Sequence, residues 1–203
     1  MNESRKDNDT IHKKRTKNAT IMRMLFSLIG LKHPPTANHS ESVARYASII
    51  GKALNLPGDQ LDKLNQAALL HDIGKIMVDN CVLNEKKPLT DRDFLQIRSH
   101  AEKGMRILTQ FQMNDYIIDA AWHHHERWDG EGYPDGIQGE SISLITRIVC
   151  IADALDAMAD DRPYRKHLSD DEIIKQIEKG KGSQFDPGIA DVVIKLIKEK
   201  RLN

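Results

Sequence analysis

Histidine or aspartate stands at seven positions of this chain where an apolar helical face calls for core. The sharpest case is His71-Asp72-Ile73-Gly74-Lys75. Leu61, Leu64 and Ala68 precede it at spacings of three and four, and the same spacing continues onto His71 and Asp72. A buried carboxylate or imidazole without a partner costs on the order of several kcal/mol. A hydrogen bond between neighbours would account for an isolated His-Asp dipeptide. Four other stripes end the same way, however. His39 lies one turn ahead of Val43, His100 follows Ile97 by three residues, and His124 and His125 follow Ala121 by three and four. Asp153 sits in the middle of a segment that is apolar nearly all round, where only a cation would make it tolerable. Arg147 is one candidate for that cation, and a metal ion is the sharper one.

Imidazole and carboxylate together suit borderline first-row metals. Five imidazoles and two carboxylates exceed the three protein ligands of an ordinary catalytic zinc site. Two ions are expected, with Asp72 as the bridge because its carboxylate has two oxygens. A pair of ions about 3.5–4 Å apart activates a bridging water and stabilises attacking and leaving oxygens, which suits phosphate esters. Lys75 adds positive charge beside the attacked phosphate.

The elements that must position these groups are helical throughout. Residues 1–20 read as a polar, basic tail, and residues 21–203 as the domain. Met22, Leu25, Phe26 and Ile29 share one face of a docking helix too short to span a bilayer. Pro34 and Pro35 precede a helix with Val43, Ala47, Ile50 and Leu54 inward, and Gly74 ends the helix that carries His71. Residues 76–89 read as a loop. One helix is expected from Thr90 to about Leu108, with Phe94, Ile97, Ala101 and Met105 inward. Asn114 is the expected cap of the next, and His123 falls off its apolar stripe. The glycine-rich stretch 126–140 directly follows His125, a placement more often functional than decorative. Ser141 begins the apolar helix of Asp153, and two amphipathic helices start near Ser169 and at Asp186-Pro187.

Composition excludes several classes. Thirty acidic and thirty basic residues leave no basic field for a nucleic-acid polymer, and 5% aromatics leave little for base stacking. Cys81 and Cys150 are too few for a disulfide framework and point to a reducing, cytoplasmic setting.

His71-Asp72 with the separated His39 and Asp153 resembles the HD phosphohydrolase superfamily. The run from His124 to Pro134, His-His-Glu-Arg-Trp-Asp-Gly-Glu-Gly-Tyr-Pro, narrows the resemblance to the HD-GYP domain. The match extends through Asp161-Arg162-Pro163-Tyr164-Arg165 and Gly182-Ser183-Gln184-Phe185-Asp186-Pro187, about residues 30 to 200. The resemblance implies an all-α bundle around a binuclear centre, and hydrolysis of cyclic di-GMP to the linear dinucleotide or GMP. It implies one ion on His39, His71, Asp72 and Asp153, and a second on Asp72, His100, His124 and His125. Iron or manganese is expected, with zinc, nickel or cobalt as alternatives. Lys75 would touch the bridging water or a phosphate oxygen, Tyr133 would line the nucleotide pocket, and Arg162 and Arg165 would grip phosphate. Members with a third ion carry glutamate where this chain has Pro35, so a binuclear centre is expected. A homodimer and a signalling protein partner are compatible with the reading. The competing readings are a phosphohydrolase for another cyclic dinucleotide or nucleotide, and a non-catalytic nucleotide- or partner-binding module.

Overall fold

A computed structural model describes residues 18–85, 90–160 and 167–202, and within them every regular element is a helix. Helix α1 covers residues 18–32 and buries Leu25 and Ile29. Pro34 and Pro35 open α2 (Pro34–Ala53) rather than separating it from a break: His33 occupies the N-cap and its ring accepts the Thr36 N–H. Proline suits a first turn, whose N–H groups have no helical acceptor. Helix α3 (Gly58–Leu70) returns beside α2, its Leu64, Ala67 and Ala68 fully buried.

Gly74 belongs to a short 3-10 turn, Ile73–Met77, and is not the cap of α3. A Cβ there would lie 1.9 Å from the carbonyl oxygen of His100, so glycine is what lets the next helices approach Asp72. The expected loop holds α4 (Asn80–Leu83), and Lys86, Lys87 and Pro88 lie outside the described residues. The single helix expected from Thr90 is two, α5 (Asp91–Arg98) and α6 (His100–Gln110), meeting at Ser99. Phe94 is exposed, contrary to its expected inward place, because α5 buries none of its residues.

Helix α7 (Asp115–His123) has Asn114 in the cap position, but the side chain does not cap it. It bonds instead to Asn18 of α1 and to the Tyr116 hydroxyl. Helix α8 (Leu144–Ala159) starts later than Ser141, with Ser143 accepting the Thr146 N–H. Helix α9 (Asp170–Gly180) opens on a reciprocal Ser169–Glu172 cap, and α10 (Pro187–Lys198) on Asp186 with proline first.

The apolar core has two parts. One joins α2, α3, α8, α9 and α10, and the other joins α1, α6 and α7 to Leu70 at the end of α3 and to Ile73 of the 3-10 turn. His71 and Asp72 follow Ala68 of the first part and lie between Leu70 and Ile73 of the second, where the two parts adjoin. The polar cluster therefore sits where α2, α3, α6, α7 and α8 meet.

Candidate metal centre

Asp72 is 1% exposed, and its two carboxylate oxygens face different partners. Oδ1 lies 3.3 Å from His100 Nε2 and 3.8 Å from His124 Nε2. Oδ2 lies 3.6 Å from His39 Nε2 and 3.5 Å from His71 Nε2, and accepts a hydrogen bond from Lys75 Nζ. His39 Nε2 is also 3.0 Å from Asp153 Oδ1. His125 Nε2 completes the far side, 3.2 Å from His100 Nε2. All seven residues expected from the sequence come together. They form three overlapping groups able to hold an ion: His100, His124 and His125; His39, His71 and Asp153; His71, Asp72 and His124.

The backbone sets which nitrogen of each ring is free. His71 Nδ1 donates to the Ala68 carbonyl at 2.7 Å, His124 Nδ1 to Ala120 at 3.0 Å, and His100 Nδ1 to Ile97. With Nδ1 carrying the proton, each Nε2 turns a lone pair inward, as in metal-binding histidines whose other ring nitrogen donates to a carbonyl. His71 Nε2 is buried without any hydrogen-bond partner. His100 and His124 point their Nε2 atoms at each other across 3.1 Å. Two lone pairs at that distance repel, and a cation between them removes the conflict. The donor set fits divalent ions on both sides of Asp72.

Charge follows burial and neighbours. Burial holds His71, His100 and His124 below the usual imidazole range, and burial with His100 brings His125 down to about 4. These four rings are neutral at pH 7, the form that binds metal. Burial also opposes charge on Asp72, but Lys75 and the surrounding imidazoles outweigh it and hold the carboxyl well below its usual value. On His39 burial is overcome by hydrogen bonds to Asp153 and Asp156, which raise it to about 10 in the ion-free protein.

The loop from Glu126 to Ser141 closes over one side. Gly132 makes this possible, since a Cβ there would meet Glu126 Cα at 2.5 Å. Tyr133 stacks on His125 with centroids 4.7 Å apart, and the Arg98 guanidinium lies 4.1 Å from the Tyr133 ring centre. A groove of about 720 Å³ runs past His125, Tyr133, Asp153, Gln176 and Gln184. Arg162 and Arg165 lie outside the described residues. Arg147 does not pair with Asp153 as the sequence allowed; it pairs with Asp186 of the α10 cap. His123 is held by Asp119 at 2.7 Å and Asp135 at 3.0 Å, away from the centre.

Sequence reasoning missed two residues. Asp156 accepts from His39 Nδ1 at 2.6 Å, one turn along α8 from Asp153, a spacing that could have flagged it. Arg98 precedes His100 by two residues, but nothing local tied it to Tyr133.

The family model described as HD domain matches residues 23–189. This chain belongs to the HD domain family. A cyclic di-GMP phosphodiesterase of Pseudomonas aeruginosa is 37% identical over 185 residues, covering 88% of this chain and 44% of the relative. A 3'3'-cGAMP-specific phosphodiesterase of Vibrio cholerae is 37% identical over 167 residues, covering 82% of this chain and 36% of the relative. The HD chain thus spans less than half the length of these relatives. Among solved structures, a V. cholerae cyclic GMP-AMP-specific phosphodiesterase superposes with TM-score 0.67 at 19% identity, over 91% of this chain and 50% of that one. The HD domain of the Listeria monocytogenes phosphodiesterase PgpH superposes with TM-score 0.66 at 18% identity, over 87% of this chain and 96% of that one. These likenesses establish the HD fold, and among the described residues no helix is long and apolar enough to cross a membrane.

Proposed function

We propose that this chain hydrolyses a phosphodiester of a cyclic dinucleotide, cyclic di-GMP first, on two divalent ions held either side of Asp72. The observation that carries the reading is the divided carboxylate: each oxygen of Asp72 faces its own set of imidazole Nε2 atoms. His39, His71, Asp72 and Asp153 would hold one ion, and Asp72, His100, His124 and His125 the other. Bound ions supply Lewis-acid stabilisation and a nucleophilic water at neutral pH. Lys75, beside Asp72 and partly exposed, donates to the oxygens of the attacked phosphate. Tyr133 and the groove receive the nucleotide, and Arg162 and Arg165 grip the second phosphate with their planar donor forks. Pro35 four residues before His39 supplies no ligand, which supports two ions over three.

Iron or manganese as the ions belongs to the same proposal, as do a cytoplasmic setting and assembly as a homodimer or with a signalling protein. Two free cysteines support the reducing setting. A second reading takes 3'3'-cGAMP as substrate, because the Vibrio relative of that specificity matches at the same 37% identity as the cyclic di-GMP enzyme. The deciding experiment loads the purified protein anaerobically with iron or manganese and supplies each dinucleotide, separating products by chromatography. Release of linear dinucleotide or GMP from cyclic di-GMP is the expected result. Exclusive turnover of 3'3'-cGAMP moves the second reading to first place, and turnover of neither overturns both.

A further inference from the structure

Two of the stretches that carry the resemblance, His124–Pro134 and Gly182–Pro187, meet in the fold. Trp128 N–H donates to the Gln184 carbonyl at 3.3 Å, and Asp129 N–H to the Ser183 carbonyl at 2.9 Å. Under this seam lie two side chains that each keep one buried atom without a hydrogen-bond partner. Glu126 is 2% exposed, and its Oε1 accepts the N–H groups of Asp135 at 2.7 Å and Gly136 at 3.0 Å. Those bonds draw the loop closed around Tyr133, whose own N–H donates to the His125 carbonyl at 3.3 Å. Glu126 Oε2 is buried with no partner. Arg147 Nη1 donates to Asp186, yet Arg147 Nε is likewise buried with no partner.

Buried polar atoms go unpaired rarely, and two of opposite hydrogen-bonding sense in one place call for a shared partner. Glu126 and Arg147 both line a small space of about 10 Å³, together with Trp128, Cys150, Gln184 and Asp186. One water needs about 10–15 Å³ and two or more polar partners. A metal ion is a poor occupant, because the Arg147 guanidinium already forms part of the wall.

We infer that one buried water joins Glu126 Oε2 to Arg147 Nε, and that Glu126, fixed by it, is the positioning residue that seats the Tyr133 loop beside the metal centre. The water donates to Oε2 and accepts from the Nε hydrogen, leaving its second hydrogen for Gln184 or Asp186. A chain of contacts then runs from the Tyr133 loop through Glu126, the water and Arg147 to the Asp186 cap of α10. This assigns the Gly182–Pro187 stretch a task as well: it is the brace against which the loop is held.

The role rests on the proposed hydrolysis only for its kinetic arm; diffraction tests the water by itself. A high-resolution structure of the metal-loaded protein should show one water within hydrogen-bond distance of both atoms. A direct Glu126–Arg147 bond, or an empty gap, overturns the water. In the kinetic arm, Glu126→Ala should raise KM for cyclic di-GMP about tenfold, the equivalent of one lost hydrogen bond of the charged kind. Metal content and turnover of bis-nitrophenyl phosphate should stay within about twofold of wild type, since that small diester has no use for the loop. Glu126→Gln keeps the Oε1 acceptor and should recover most of the loss. Equal losses on both substrates, loss of metal, or a Glu126→Gln variant no better than Glu126→Ala overturns the positioning role. If wild type turns over the small diester but not cyclic di-GMP, the substrate reading fails alone, and diffraction still decides the water.

Discussion

The two sides of Asp72 differ in access and in charge. Toward His100, His124 and His125 the partners are all imidazoles, His100 and His124 being buried with Nδ1 tied to backbone carbonyls of the preceding turn. Toward His39 and Asp153 the partners include a second carboxylate, both side chains are partly exposed, and His39 takes its orientation from another carboxylate, Asp156. One side is a rigid, neutral pocket and the other an acidic, wetter one. An ion on the first side gains from preorganised lone pairs, whereas one on the second gains more from charge. The acidic side is therefore expected to exchange its ion more readily.

The largest effect should come from the residue both sides share. Asp72→Ala should lose most of both ions and lower turnover by more than about 10³-fold, the scale of losing a unit that acts as a whole. Elemental analysis of the folded variant checks this, and two ions retained per chain would remove Asp72 from the bridge. Next comes Lys75→Ala, which should keep both ions yet lose about 10²–10³ in turnover, the usual cost of one preorganised charge contact. A parallel fall in metal content would give Lys75 a structural role instead.

Asp156→Asn sharpens the contrast between the sides. Removing the carboxylate behind His39 should weaken the acidic-side ion about 10–100-fold, the usual cost of losing a ligand's supporting partner, and leave the other ion in place. Competition with a chelator should show one ion leaving early and one late; two ions loosening together would mean that the sides do not act separately.

The smallest effect concerns pH in the chelated protein. Burial depresses His71, His100, His124 and His125, the last to about 4, from an unfolded value of 6.5. Below pH 6.5 the unfolded chain binds more protons at these sites, so the stability they contribute is present above 6.5 and is lost as pH falls below it, for His125 down to about 4. His39 is raised to about 10, so its contribution is complete below 6.5 and is lost only as pH rises through 10. It adds no slope in the acid window. The melting temperature should drop by several degrees between pH 7 and pH 5, and a flat profile would mean that these rings are not neutral in the fold.

Local pattern carried much of this architecture. The spacing that put Leu64 and Ala68 inward also put His71 and Asp72 there, and periodicity needs no knowledge of neighbours. Capping is equally local, so Ser169 and Asp186-Pro187 marked their helices correctly. The failures arose where a distant partner competes. Asn114 had a cap's chemistry, but Asn18, 96 residues away, takes its side chain. Arg147 was one and a half turns from Asp153, yet Asp186, 39 residues on, holds it. Gly74 looked like a helix stop, and its actual reason is the carbonyl of His100.

What the chain determined by itself was therefore the helices and the inventory of ligand types along their inner faces. Those depend on residues within a turn or two of each other. Which oxygen of Asp72 serves which side, which ring nitrogen is left free, and that Asp156 stands behind His39 were decided only by packing. Each depends on angles and distances of a few ångströms between groups as far as 117 residues apart, and a hydrogen bond or a metal ligand is directional on that scale while a hydrophobic stripe is not.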